Sequence, residues 1–130
     1  MSNLIFSLIT LLVLVFIFVI YRYINIYRAK KYINFLSDEE FKKGMRRAQV
    51  IDVREKSPFN TGHILGARNI AYSTFKTFYT ELRPDLPVYL YDQNKTLSLR
   101  AAKFLNKQGF TDISILNNGY QKWDGKIKKS

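Results

Sequence analysis

The stretch Val88–Leu105, VYLYDQNKTLSLRAAKFL, decides the fold. Val88, Tyr89, Leu90 and Tyr91 form a short run of β-branched and aromatic residues, the composition of a strand covered on both faces. Leu97, Ala101, Phe104 and Leu105 then recur at helical spacing, with Arg100, Lys103 and Lys107 on the opposite side. Between them lie Asp92, Gln93, Asn94, Lys95 and Thr96. A strand that runs through a tight loop into a helix is a common seat for a site in an α/β protein. The loop amides and the helix N-terminus converge there and favour negative charge. The residue at this strand end is Asp92, an acid, and the chain contains no cysteine.

The elements on either side agree with an α/β reading. Ser37 opens SDEE, with Glu40 three residues on, which is a capping box. Leu36 and Phe41 flank it at the spacing of a hydrophobic staple, and the helix should run to about Met45. Gln49–Val53 reads as a central strand. Ser57-Pro58 predicts a short helix with Ser57 as its cap and Pro58 at its first position. A short strand is expected around Arg68–Ile70. Phe75, Phe78, Tyr79 and Leu82 fall at i, i+3, i+4 and i+7, which predicts one amphipathic helix over Ser73–Leu82. Gly109 ends the helix after the central strand, and Phe110–Leu116 holds the last strand.

VIDVRE at Val50–Glu55 followed by FNTGHILGARNI at Phe59–Ile70 resembles the first signature of the rhodanese family of sulfurtransferases. The matching positions include Asp52, Arg54, Gly62, His63, Gly66 and Ala67. The later stretch FLNKQGFTDISILNNGYQKW is similar to the second signature, through Gly109, Phe110, Leu116, Gly119 and Trp123; Asn118 stands where that family usually has another glycine. The resemblance spans about Leu36–Trp123. It implies a single three-layer α/β/α domain with a mostly parallel sheet of about five strands.

Active members of the family end the central strand in a cysteine wrapped by loop amides, donors that stabilise a thiolate and its persulfide. The resemblance places Asp92 at that cysteine, Lys95 at a usual loop glycine and Leu97 where a basic residue is common. These departures argue against sulfur transfer. A short carboxylate at the strand end can instead accept the loop's own N–H groups and cap the following helix. Asp92–Leu97 is therefore expected to be a closed turn, with an accessible anion-binding loop as the alternative. DQNKTL also faintly resembles the DxDGT loop of haloacid dehalogenase phosphatases, but Asn94 and Lys95 replace the second acid and the glycine. The signature residues Asp52, Arg54, Gly62, His63, Gly66, Ala67, Gly119 and Trp123 are expected to be structural: His63 has no nucleophile to serve, and Asp52 and Arg54 would pin a strand end to its loops.

Leu4–Tyr21 carries no charge, Pro or Gly. Its eighteen residues extend roughly 27 Å as a helix, close to the thickness of a hydrocarbon core. Tyr21, Tyr23 and Tyr27, then Arg22, Arg28, Lys30 and Lys31, cluster at its C-terminal end. A cleaved signal peptide would want a basic start and a small-residue cleavage site, and neither is present. The expected order is residues 1–3 outside, a single-pass helix over 4–21, a basic juxtamembrane linker over 22–35, the domain over 36–125 and a basic tail over 126–130, with the domain on the cytoplasmic face by the positive-inside rule. The chain of 130 residues carries 21 Lys and Arg against 10 Asp and Glu, a net charge of +11. That suits an anionic membrane surface or small anions; nucleic acid has charge in its favour and no motif. With no cysteine and one histidine, no metal site or cofactor is expected. The expected function is a membrane-anchored, catalytically inactive module that binds a protein partner or an anionic ligand. The alternatives are a sulfurtransferase using a partner's thiol and an Asp92-based phosphotransfer enzyme.

Overall fold

The computed structural model describes residues 2–130, save the side chains of residue 26 and residues 28–31. The chain divides into two compact units, one ending at Lys31 and the other spanning Tyr32–Ser130. The first is made by helix α1, Ser2–Tyr32. Its stretch Ser2–Asn25 is long and apolar enough to cross a membrane, and none of it is covered by protein.

The second unit is built on one five-stranded parallel sheet. Its strands are β1 (Ile33–Leu36), β2 (Gln49–Asp52), β4 (Arg68–Asn69), β5 (Val88–Tyr91) and β6 (Ile113–Leu116), in the spatial order β1-β6-β5-β2-β4. The register pairs Gln49 with Val88 and Asp52 with Tyr91 on one side of β5, and Val88 with Ile113 on the other. Because side chains alternate along a strand, the sheet buries two different faces. On one, Val50, Tyr91 and Leu116 pack with Ile64 and with Phe41 of helix α2 (Asp38–Gly44). On the other, Ile51, Leu90, Val88, Ile113 and Ile115 are fully buried beneath helix α5 (Thr96–Lys107). Phe104 of α5 in turn meets Phe75 and Tyr79 edge-on.

The capping box forms as expected. Glu40 N donates to Ser37 Oγ and Ser37 N to Glu40 Oε1, and Leu36 packs against the cluster around Phe41. Four local expectations are corrected. Residues 33–35, read as the end of the linker, form with Leu36 the edge strand β1, paired in register with β6 from Ile33↔Ile113 to Leu36↔Leu116. Four residues are too few to show a period, so the pairing alone makes them a strand. Helix α3, Lys56–Thr61, starts after Glu55 rather than Ser57. Pro58 therefore sits third, where its missing N–H still costs nothing. The predicted helix over Ser73–Leu82 is broken into a 3-10 turn at Tyr72–Thr74, the single turn α4 at Phe75–Phe78 and a second 3-10 turn at Tyr79–Glu81. Phe75 and Leu82 are buried while Phe78 is 45% exposed, so the apolar residues do not share the one face that the spacing suggested. The tail over 126–130, read as following the domain, is part of it: β7 (Ile127–Lys128) pairs antiparallel with β3 (His63–Ile64), and Ser130 N donates to Asn60 O.

Candidate functional site

The loop Asp92–Lys95 leaves the C-terminal end of β5, next to the end of β2 and under the turn that follows β6. Asp92 is 2% exposed. Its Oδ2 accepts from Leu97 N at 3.2 Å, and its Oδ1 accepts from Ser98 N at 3.3 Å and from the Ser98 hydroxyl. Thr96 N donates to Asn94 Oδ1 at 2.8 Å, an Asx turn. Leu99 N reaches Lys95 O at 3.0 Å. A helix N-terminus leaves its first N–H groups without intrahelical partners. Here those of Thr96, Leu97 and Ser98 are all taken by side chains of the preceding loop. The N–H groups at the start of the helix are therefore taken by Asp92 and Asn94. Lys95, at the helix cap, contributes no side-chain cap bond; its Nζ donates to Asn117 Oδ1 at 3.3 Å and lies 5.7 Å from the Phe35 ring.

A second clamp holds the loop from the other side. Tyr120 N donates to Asp92 O at 2.9 Å and Gln121 N to Gln93 O at 3.2 Å. The approach is close enough to require Gly119, whose φ is +72°. A Cβ there would collide with the carbonyl oxygens of Gln93 and Asn94.

The Asp52–Arg54 pair forms a bidentate ion pair at the end of β2. Arg54 N, Nε and Nη2 donate to the Asp52 carboxylate at 2.8, 3.1 and 2.7 Å, and Nη2 also donates to Gly62 O at 2.7 Å. The guanidinium lies 4.2 Å from the Tyr120 ring centroid. Burial works against the Arg54 charge, but the hydrogen bonds and charge of Asp52 outweigh it and hold the guanidinium pKa above its usual value. Only Nη1, 3.5 Å from Gln93 Oε1, is loosely held. Tyr91 is fully buried beside this pair and accepts from Ile64 N through its hydroxyl at 3.0 Å. Burial, reinforced by the Asp52 charge, drives its phenol well above the ordinary tyrosine range.

The other signature residues lie around this centre. His63 is buried, stacked 3.8 Å from Phe59 with Nδ1 2.9 Å from Phe59 O. Gly62 sits under Tyr120, whose hydroxyl a Cβ would crowd. Gly66 adopts φ +94° in the turn after β3, and Ala67 packs on the Phe41 cluster. Trp123 meets Phe41 edge-on at 5.7 Å. A cleft of about 510 Å³ opens over the loop, between Arg54, Glu55 and Pro58 on one wall and Asp92, Asn94 and Leu97 on the other. No group of three His, Asp or Glu among the described residues is placed to hold a metal ion. Ser98 is not singled out by the sequence reading. Ser98 had a signal: a hydroxyl on the core-facing side of an amphipathic helix, one turn after a strand-end acid.

The rhodanese-like domain family model matches residues 37–126. The chain belongs to that family. It is 47% identical over 128 residues to the uncharacterised protein YqhL of Bacillus subtilis, a match covering 98% of each. It is 32% identical over 78 residues to the thiosulfate sulfurtransferase GlpE of Shewanella oneidensis, covering 60% of this chain and 77% of that one. The rhodanese-related protein of Thermoplasma volcanium superposes with a TM-score of 0.69 at 20% identity, covering 75% of this chain and 99% of that chain, a likeness of fold.

Proposed function

We propose that this chain is a membrane-anchored rhodanese-like module that transfers no sulfur and serves instead to dock a protein partner on the cytoplasmic face. One observation carries the reading. The strand-end position that should present a thiolate holds Asp92, and its carboxylate is satisfied from within by Leu97 N, Ser98 N and the Ser98 hydroxyl. Persulfide chemistry needs a nucleophilic sulfur and free amides around it. This chain has no cysteine, and the amides at the start of α5 already have an anion. A carboxylate engaged by three donors is also a poor nucleophile for phosphotransfer.

The test uses the full chain in detergent micelles with thiosulfate and cyanide. Thiocyanate should not form above the protein-free rate, and titration with thiosulfate, sulfate or phosphate should give no saturable amide shifts over residues 93–97. Turnover without an added thiol overturns the reading. Saturable shifts would make the loop an anion site. Sidedness follows from the bases after Tyr21. Because the chain has no cysteine, single substitutions Ser2→Cys and Ser130→Cys can be probed in intact cells. An impermeant maleimide should label the first and spare the second.

A further inference from the structure

A second cleft, of about 610 Å³, lies between α2 and the strand β7. It shares no lining residue with the cleft over Asp92. Its floor is apolar: Met45, Leu65 and the Trp123 ring. Trp123 is fixed in place by a hydrogen bond from Nε1 to Lys126 O at 3.3 Å and by Gly125, where a Cβ would run into the indole. The charges on the rim are unequal. Asp124 is the cleft's one acid, and Lys42 already holds it at 2.7 Å while lying 5.6 Å from the Trp123 ring. Lys42 also reaches Glu39 at 3.7 Å. Arg46 and Lys126 are exposed and form no ion pair among the described residues. The cleft therefore offers an apolar floor and two uncommitted cations in its lining.

We propose that this cleft receives a short acidic segment of a partner protein that inserts a large apolar side chain over Trp123. The proposal rests on the docking reading and names the surface and the chemistry. A cavity of this volume is in the range of ligand sites, roughly 300–1,000 Å³, and its half-buried Trp123 is the kind of aromatic that becomes the energetic centre of a protein contact once a partner covers it. The cleft is shallow, since Leu65 on its floor is 46% exposed. It covers only one side of an occupant. An acyl chain would remain half in water, whereas a protein segment brings its own cover. Carboxylates flanking the inserted side chain complement Arg46 and Lys126.

The test is a displayed random-peptide library selected on the full chain in phosphatidylcholine nanodiscs. Trp123, the chain's one tryptophan, supplies the signal. Enriched peptides should carry acidic residues around Leu or an aromatic, and a synthetic copy should shift the Trp123 emission. Its affinity should fall by more than about tenfold in the double variant Arg46→Glu/Lys126→Glu, and fall with added salt. Both positions are exposed, so circular dichroism of the variant should match the parent. The proposal is overturned if the library yields no such peptides, if those enriched bind the double variant equally, or if they leave Trp123 unmoved. It is overturned too if phosphatidylglycerol nanodiscs alone shift Trp123 in the parent and not in the variant, which would give the cleft to a lipid surface. Sulfur transfer by the full chain would sink the docking reading while leaving the cleft result intact.

Discussion

Asp92→Ala removes a carboxylate that three donors converge on, and its cost can be estimated from those donors. Loss of the cap to Leu97 N and Ser98 N costs about 1 kcal/mol, by analogy with N-cap truncations. The Ser98 side chain is fully buried, and leaving its hydroxyl without a partner adds roughly 1–3 kcal/mol. The expected destabilisation is about 2–4 kcal/mol, a large share of the 5–15 kcal/mol typical of a domain. For a domain of this size that lowers the unfolding midpoint by on the order of 10–30 °C. Ser98→Ala alone should cost about 1 kcal/mol, because the two N–H bonds to Asp92 survive. The double variant should then be less destabilised than the sum of the two, since both substitutions break the same bond. Urea unfolding of the full chain in micelles, followed through Trp123, measures all three. An Asp92→Ala variant within about 0.5 kcal/mol of the parent, or strict additivity with Ser98→Ala, would refute the plugged loop.

Three further outcomes are expected. Gly119→Ala should destabilise the domain and move the amide resonances of residues 93 and 94, because its Cβ meets their carbonyls and its φ is +72°; unmoved resonances would show that the clamp is loose. Tyr91 keeps its proton in the folded state at pH values where an unfolded tyrosine, with its pKa near 10, loses it. Stability is therefore complete below about pH 10 and falls above it by up to ~1.4 kcal/mol per pH unit. Tyr91→Phe should flatten that alkaline slope in urea titrations while losing the bond from Ile64 N. Finally, Asp92→Cys alone should not produce brisk thiosulfate-to-cyanide transfer, since Lys95 and Leu97 still occupy the loop; vigorous turnover would show that the strand-end residue is the whole defect.

Periodicity and residue chemistry made the central strand, α5, the capping box at Ser37 and the signature positions legible without coordinates, because each is a local pattern. The loop was legible in part. Asp92 marked the strand end, and its fit to the following helix follows from its short acidic side chain. Its second partner, Ser98, required the helix to be seen from the inside. The edge strand β1 and the docked tail β7 were not legible. Ile33–Leu36 and Ile127–Lys128 are strands only because β6 and β3 lie beside them.

Local chemistry alone, then, was enough to establish an α/β unit, an apolar helix ahead of it and an acid at the end of the central strand. Each of these depends on residues near one another in the chain. The closure of the Asp92 loop against Gly119, the placement of the Arg54 guanidinium over Tyr120 and the cleft over Trp123 were decided by packing. In every case the partners come from segments far apart in sequence, and no local pattern records which of them will meet.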